Sequence, residues 1–347
     1  MPWGMRLRYR KGVDIVFYEV FKEEREALKR HLPGNTKAAF FPLTIQESGH
    51  TTLPGGILCI RTQSVIPRAW ERDIQAILTR STGYDHVLSF LEASHRDIPA
   101  GYLPHYCSRA VAEHALMMWM ALMRRLPAQI ENLTRFDRDG LTGWECLGKT
   151  VAVVGVGSIG SEVCRLAGAL GMEVLGVDIV RRHGWVRYTN LEDALARADV
   201  IVCSMNLTAD NAGYFSYDVL KRAKPGAVFI NVARGEFVRE SDLLKLLEEG
   251  HLSGVGLDVY ADESALAQAM RSGAPGVHPG ADAVSRLAMR KDVLCTPHNA
   301  FNTQESVERK AAQTVRQALH FLEHGTFIWN VPRGGHPLGS EQGPPRA

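Results

Sequence analysis

The stretch that decides the fold is Thr150-Val151-Ala152-Val153-Val154-Gly155-Val156-Gly157-Ser158-Ile159-Gly160, continuing to Val174-Leu175-Gly176-Val177-Asp178. A β-branched run, Val151 to Val154, feeds straight into G-x-G-x-x-G. The residues that follow place Val163, Leu166, Ala167 and Leu170 on one helical face before Gly171 ends it. A second apolar run then finishes on Asp178, roughly 20 residues beyond Gly155, as a strand-turn-helix-strand-acid unit requires. In a chain with 32 glycines the hexapeptide alone says little, and its context carries the reading. Gly155 permits the tight turn, Gly157 lets backbone approach a pyrophosphate, and Gly160 lets helix pack on strand. The helix start then offers N–H groups to the anion. Asp178 would accept hydrogen bonds from ribose hydroxyls and repel a 2′-phosphate, which points to NAD over NADP. Arg181 and Arg182 close by pull the other way.

Outward from this unit the alternation continues through Val200 to Cys203, Val228 to Val232, Val255 to Val259 and Val293 to Thr296, giving six strand-like runs with helical patterns between most of them. Such a segment builds a doubly wound parallel sheet with right-handed crossovers. Between Ala265 and Asp292 the rhythm is broken by Gly273, Pro275, Gly276, Pro279 and Gly280, and a long irregular loop is expected there. On the N-terminal side, Val13 to Tyr18, a charged helix Glu23 to Leu32, Ile57 to Ile60 and Ile74 to Leu78 read as a second set of strands and helices. Ser108 to Leu126 is a helix apolar nearly all round, with Met117, Met118 and Met120 filling the faces left by Val111, Ala115, Trp119 and Leu122. It suits a domain junction or a subunit interface. A last helix, Thr303 to Leu322, carries Val307, Ala311, Val315 and Ala318 on one face, with Asn302 and Glu305 as its capping pair.

The 347 residues suffice for about two domains. Forty Lys+Arg against 38 Asp+Glu give a net charge of +2, too even to argue for a nucleic-acid or membrane partner. The basic run Arg6, Arg8, Arg10 and Lys11 reads as a solvated N-terminus. The six cysteines stand singly, without C-x-x-C or zinc-ligand spacing, so no metal is expected and the thiols read as reduced core residues. No secretory signal or membrane-length apolar run is present, and a cytoplasmic protein is expected.

Three later strand ends carry polar groups that apolar strands do not need: Asn231-Val232-Ala233-Arg234-Gly235, then Gly256-Leu257-Asp258-Val259-Tyr260 with Asp262-Glu263, then Thr296-Pro297-His298-Asn299-Ala300-Phe301. Ligands of open α/β sheets bind outside the carboxyl ends of strands, so an Arg, a Glu and a His there can converge. An Arg offers a planar fork to a carboxylate, and a His titrates near neutrality. Singly, each has a bland explanation: Arg234 as an ion-pair partner of Glu236 or Glu240, Glu263 as a solvated acid, His298 as a satisfied loop histidine. His114, inside the apolar helix, reads as structural, and His278 as no more than a lid residue.

These motifs, with Ile60-Arg61-Thr62-Gln63-Ser64, Thr79-Arg80-Ser81-Thr82-Gly83-Tyr84-Asp85 and Ala110-Val111-Ala112-Glu113-His114, resemble the D-isomer-specific 2-hydroxyacid dehydrogenases, most closely the D-lactate dehydrogenase type, over residues 55–330. The resemblance implies two Rossmann-like doubly wound parallel-sheet domains, with an NAD-binding domain (108–298) inserted into a substrate domain (1–107 and 299–332) and a mobile tail from 333 to 347. It implies that Arg234 holds the substrate carboxylate, His298 is the acid/base and Glu263 orients it. Asp262 would take that role if the register slipped by one. Thr82 and Gly83 would offer N–H groups to the substrate, and Tyr106 would face it. Ser158 and Ile159 would meet the pyrophosphate, with Met205, Asn206, Asn211, Val232, Ala233 and Asp258 around adenosine and nicotinamide. A homodimer is implied as well. Competing expectations are a dehydrogenase of a phosphorylated substrate or of phosphite, for which Arg61 and Arg80 are the nearest extra cations, and an NAD(H)-sensing corepressor-like protein on the same fold.

Overall fold

The computed structural model describes residues 13–208, 210–272 and 280–333. The basic run from Arg6 to Lys11, His278 and the tail beyond Arg333 lie outside the described residues. The chain divides into two compact units, one running from Cys107 to Ser306 and the other combining the residues up to Tyr106 with those from Val307 on.

The N-terminal unit opens with β1 (Ile15–Phe17), α1 (Lys22–His31), β2 (Ala38–Phe40), β3 (Ile57–Ile60), β4 (Ala76–Thr79), α2 (Asp85–Glu92) and β5 (Ala100–Gly101). Its five strands are all parallel in the order β2-β1-β3-β4-β5. β3 and β4 are buried at every position, which is why they read as unbroken apolar runs. β2 and β5, at the two sheet edges, are too short and too mixed to announce themselves in sequence.

The second unit begins with α3 (Ser108–Met123) and α4 (Leu126–Asn132), separated where Arg125 turns into the left-handed region at φ 52° ahead of Pro127. One broad face of α3, including Ala112, Ala115, Met118, Trp119 and Leu122, is buried, but Met117 and Met120 stand in solvent. The helix is therefore apolar all round without being covered all round. Next come β6 (Thr150–Val154), α5 (Ser158–Ala169), β7 (Glu173–Val177), β8 (Arg187–Tyr188), α6 (Leu191–Arg197), β9 (Val200–Cys203), α7 (Tyr217–Leu220), β10 (Ala227–Asn231), α8 (Glu240–Glu248), β11 (Leu252–Leu257), α9 (Glu263–Arg271), α10 (Ala281–Ala288) and β12 (Val293–Cys295). The parallel sheet runs β12-β11-β10-β9-β6-β7-β8, so the strand order reverses direction between β6 and β9. The six expected strands are present, and two-residue β8 is an addition at the edge.

The loop expected from Ala265 to Asp292 is corrected by α9 and α10. Its glycines and prolines are confined to 273–280, and the flanks keep helical spacing, with Leu266 buried from α9 and Ala281, Val284 and Leu287 from α10. The final helix, α11 (Gln304–His324), is capped one residue later than expected: Thr303 Oγ1 accepts the Ser306 N–H at 3.2 Å, while the Asn302 amide donates to Asn299.

In the N-terminal unit a charged cluster lies fully buried. Glu24 Oε1 accepts from Arg80 Nε at 3.0 Å and lies 2.7 Å from Lys310 Nζ as an ion pair. Arg80 also donates to the carbonyls of Cys59, Tyr18 and Glu19, and is wholly consumed in holding strand ends together. It is not a spare cation for a phosphate. Burial alone would raise the Glu24 carboxyl, but Arg80 and Lys310 outweigh it and hold it at about 2. Burial pushes Lys310 down to about 7 against the pull of Glu24. With one carboxylate serving two cations, the lysine is the costly member. Above about 7 the folded chain has released a proton that the unfolded chain keeps up to the ordinary value of 10.5, so stability rises with pH across that window. Lys310→Met, which leaves Glu24 paired with Arg80, is expected to raise Tm at neutral pH and to abolish that rise. Glu24→Gln is expected to cost about 3–5 kcal/mol in denaturant unfolding, because the buried Arg80 cation then loses its counter-charge.

Candidate active site

The reversal of strand order between β6 and β9 opens a crevice at the carboxyl ends of the two strands, and the glycine loop sits in it. Gly155 has φ 92°, and a Cβ there would lie 2.6 Å from the Met205 nitrogen, so backbone meets backbone where β6 and β9 end. A Cβ on Gly160 would lie 2.0 Å from the Gly155 carbonyl oxygen. At Gly157 a Cβ would meet nothing within 4 Å. Gly155 and Gly160 are thus demanded by the protein's own packing, and Gly157 leaves open space in front of the loop. Helix α5 starts at Ser158 with Gly157 as N-cap and no side chain capping it, so the Ser158 and Ile159 end presents its amides outward. These residues fit the pyrophosphate of a dinucleotide.

Asp178, at the end of β7, accepts the Val156 N–H at 2.6 Å and the Val180 N–H at 2.8 Å. The acid thus braces the glycine loop. Arg181 and Arg182 are exposed. The loop after β9 is shaped by Asn211, whose side chain donates to the Asn206 carbonyl and accepts the Thr208 N–H. Met205 is half-buried, Asn206 exposed, and Val232 and Ala233, just past β10, are buried.

The polar strand ends lie on three neighbouring strands, β10, β11 and β12. A Cβ on Gly235 would fall 1.7 Å from the Tyr260 carbonyl carbon, so the loop carrying Arg234 is pressed against the one leading to Glu263. Arg234 is half-buried, its Nη1 donates to the Ala233 carbonyl, and its own carbonyl accepts from Asn231. His298 Nδ1 lies 2.7 Å and 2.8 Å from the two Glu263 oxygens. Because a carboxylate only accepts, Nδ1 carries the hydrogen and Nε2 is left outside that pairing. Asp262 sits at φ 46° as the N-cap of α9, so the residue meeting His298 is Glu263 and not its neighbour.

Asp258 is 1% exposed, and both its oxygens are taken: Oδ1 by the Thr296 hydroxyl at 2.6 Å and the Asn299 N–H at 2.7 Å, Oδ2 by the Ala300 N–H at 2.9 Å. Its side chain serves the loop that carries His298. Glu240, which the sequence offers only as an ion-pair partner for Arg234, holds the Ala261 N–H at 3.0 Å.

The remaining expected contacts belong to the N-terminal unit. Thr82 follows β4 and donates its hydroxyl to the Leu103 carbonyl, and the Gly83 carbonyl accepts from Ser81. Tyr106 is buried, with the Lys310 amine 5.8 Å from its ring centre. Among the described residues no group of three or more His, Cys, Asp or Glu could hold a metal ion. The six cysteines are free thiols, and burial raises Cys164 and Cys203 to about 12.

Residues 116–300 match the family model of the D-isomer specific 2-hydroxyacid dehydrogenase NAD binding domain. A D-lactate dehydrogenase of Streptococcus agalactiae is 30% identical over 279 residues, spanning 77% of this chain and 82% of its own. The 2-hydroxyacid dehydrogenase A of Aspergillus oryzae is 30% identical over 277 residues, spanning 78% and 79%. Among solved structures, D-lactate dehydrogenase from Aquifex aeolicus, complexed with NAD and lactic acid, aligns with a TM-score of 0.78 at 26% identity, over 91% of this chain and 99% of that one.

The three glycines separate packing from cofactor binding. Gly157→Ala is expected to keep the parental Tm while weakening NADH binding roughly tenfold or more, because a methyl then occupies the pyrophosphate's place. Gly155→Ala and Gly160→Ala should instead lower Tm markedly. Thermal melts with and without NADH read both effects.

Proposed function

The chain belongs to the D-isomer specific 2-hydroxyacid dehydrogenases, NAD-dependent oxidoreductases, and from that premise we propose that it interconverts a 2-oxo acid and a D-2-hydroxy acid with Arg234, His298 and Glu263 as its working side chains. The observation that carries this reading is the grip of both Glu263 oxygens on His298 Nδ1, one strand end away from the Arg234 loop.

When bound, NADH supplies the hydride for C2 of the 2-oxo acid. The guanidinium of Arg234 takes the substrate carboxylate as a two-pronged fork and fixes the carbonyl in one orientation. Protonated His298 gives its Nε2 proton to the carbonyl oxygen as negative charge develops there. In the opposite direction neutral His298 takes the hydroxyl proton at the same nitrogen. Glu263 accepts from Nδ1 throughout, which keeps the reactive lone pair on Nε2 and steadies the imidazolium. Ser158 and Ile159 hold the pyrophosphate, Asp178 the ribose, and the strand-end residues Met205, Asn206, Asn211, Val232, Ala233 and Asp258 shape the rest of the cofactor's bed. With an acid braced on Val156 and Val180 at the ribose position, NAD is the preferred dinucleotide over NADP.

Turnover tests the reading. NADH absorbance should fall with one or more of pyruvate, phenylpyruvate, 2-oxoisocaproate, glyoxylate and hydroxypyruvate, and much less with NADPH. Tight NADH binding with silence on every substrate would favour a sensor over an enzyme. Arg234→Lys, which loses the fork, should cut kcat/KM about a hundredfold, and His298→Gln should cut kcat by roughly a hundredfold to ten-thousandfold with NADH binding kept. An Arg234→Lys enzyme at the parental rate would sink the assignment.

Assembly with a second copy of the chain is supported by the exposed apolar residues Met117, Met120, Leu126, Ile130, Leu133 and Phe136 on and after α3 and α4. So many large apolar side chains in one short stretch are a patch that a homodimer would cover. Light scattering should give a dimer for the parent and a monomer for the Ile130→Asp, Phe136→Asp double variant. Among the described residues no helix is long and apolar enough to cross a membrane. With free thiols throughout, the cytoplasm is the proposed place of work.

A further inference from the structure

His114, on α3, points its ring toward the loop after β12. Its Nε2 lies 3.0 Å from Thr296 Oγ1 and 3.7 Å from Asp258 Oδ1. Thr296 Oγ1 is itself 2.6 Å from Asp258 Oδ1 and 3.5 Å from the Leu257 carbonyl. A hydroxyl has one proton, and the carboxylate at the shorter distance takes it. Toward His114 the oxygen can therefore only accept, and His114 must donate from Nε2. Burial pushes this imidazole below the ordinary histidine range against the pull of Asp258, which suits a neutral ring with its hydrogen on that nitrogen.

The chain of donors ends on the acid/base loop. Asp258 uses its two oxygens to hold the amides of Asn299 and Ala300, the two residues after His298. Tyr260 holds the Thr296 carbonyl from the other side at 3.0 Å. Between these anchors His298 adopts φ 50°, in the left-handed region that a residue with a side chain occupies only when its surroundings enforce it. The clamp is therefore what keeps the imidazole in the orientation that meets Glu263.

We propose that His114 is a positioning residue for His298, acting through Thr296 and Asp258 to hold the 296–300 loop in its strained form. It touches no reacting atom. Its Nε2–H orients the threonine hydroxyl, the hydroxyl orients the aspartate, and the aspartate sets the two amides that follow the acid/base. The inference rests on the reading of His298 above.

The test compares His114→Leu and His114→Gln with the parent for kcat, KM, NADH dissociation constant and Tm. His114→Leu is expected to lower kcat roughly tenfold to a hundredfold, with KM and NADH binding nearly unchanged, because the loss is one of aim. His114→Gln, whose amide N–H reaches the same oxygen, should recover most of it. Thr296→Val keeps the shape and removes the relay, so it should show the same loss even where His114→Leu folds poorly. The double variant His114→Leu, Thr296→Val should be no worse than either single one. Parental kcat in either His114→Leu or Thr296→Val, or equal impairment of the Leu and Gln variants, overturns the proposal. A parent enzyme inert on every 2-oxo acid refutes the reading of His298, and this inference with it.

Discussion

Backbone pressed on backbone at the carboxyl ends of the strands is the constraint on which the second unit depends. At Gly155 the β6 turn lies against Met205 beyond β9, and at Gly235 the turn after β10 lies against Tyr260 and Ala261 beyond β11. Neither approach leaves room for a Cβ. Parallel strands pack at a fixed spacing, so their turns can close on one another only where side chains are missing. The first approach shapes the dinucleotide crevice and the second draws the Arg234 turn onto the path to Glu263.

Acidic side chains then fasten these turns. Asp178 braces the glycine loop, Asp258 the 296–300 loop and Glu240 the Ala261 turn, each by accepting backbone N–H groups. The N-terminal unit repeats the device: Glu19, itself at φ 56°, accepts the amides of Arg61, Gln63 and Ser64 after β3. A carboxylate has about four acceptor sites and no donor, so one residue can satisfy a whole turn whose amides point inward. Many of the acids in this chain that look like candidates for chemistry are therefore architects of loops. Arg80 is the same lesson with the opposite sign, a cation in a family motif wholly spent on carbonyls and Glu24.

The core strands were legible because a strand covered on both faces reads as an unbroken apolar run, as β3 and β9 do. Edge strands β2, β5 and β8 escaped, since two or three residues with one open side carry no periodic signal. The stretch around 265–292 misled for a different reason. Glycine and proline at 273–280 outweighed, to the eye, the helical spacing around Leu266 before them and of Val284 and Leu287 after them. In the candidate site, the pairing of His298 with Glu263 was foreseen, while the part played by His114 and Glu240 was not, because hydrogen-bond partners far apart along the chain leave no local pattern.

By itself the sequence determined the doubly wound class, the dinucleotide loop with its acid, and which residue types stand at the strand ends, because these follow from local spacing and from what a glycine or an apolar run can do. Tertiary structure alone decided what each of those groups is bonded to. Asp258, Arg80 and Glu263 look equally functional in one dimension, and only their partners show that Asp258 holds loop amides, Arg80 holds carbonyls and Glu24, and Glu263 meets His298. Hydrogen-bonding capacity is finite, so what a side chain can offer a substrate depends on what the fold has already taken from it.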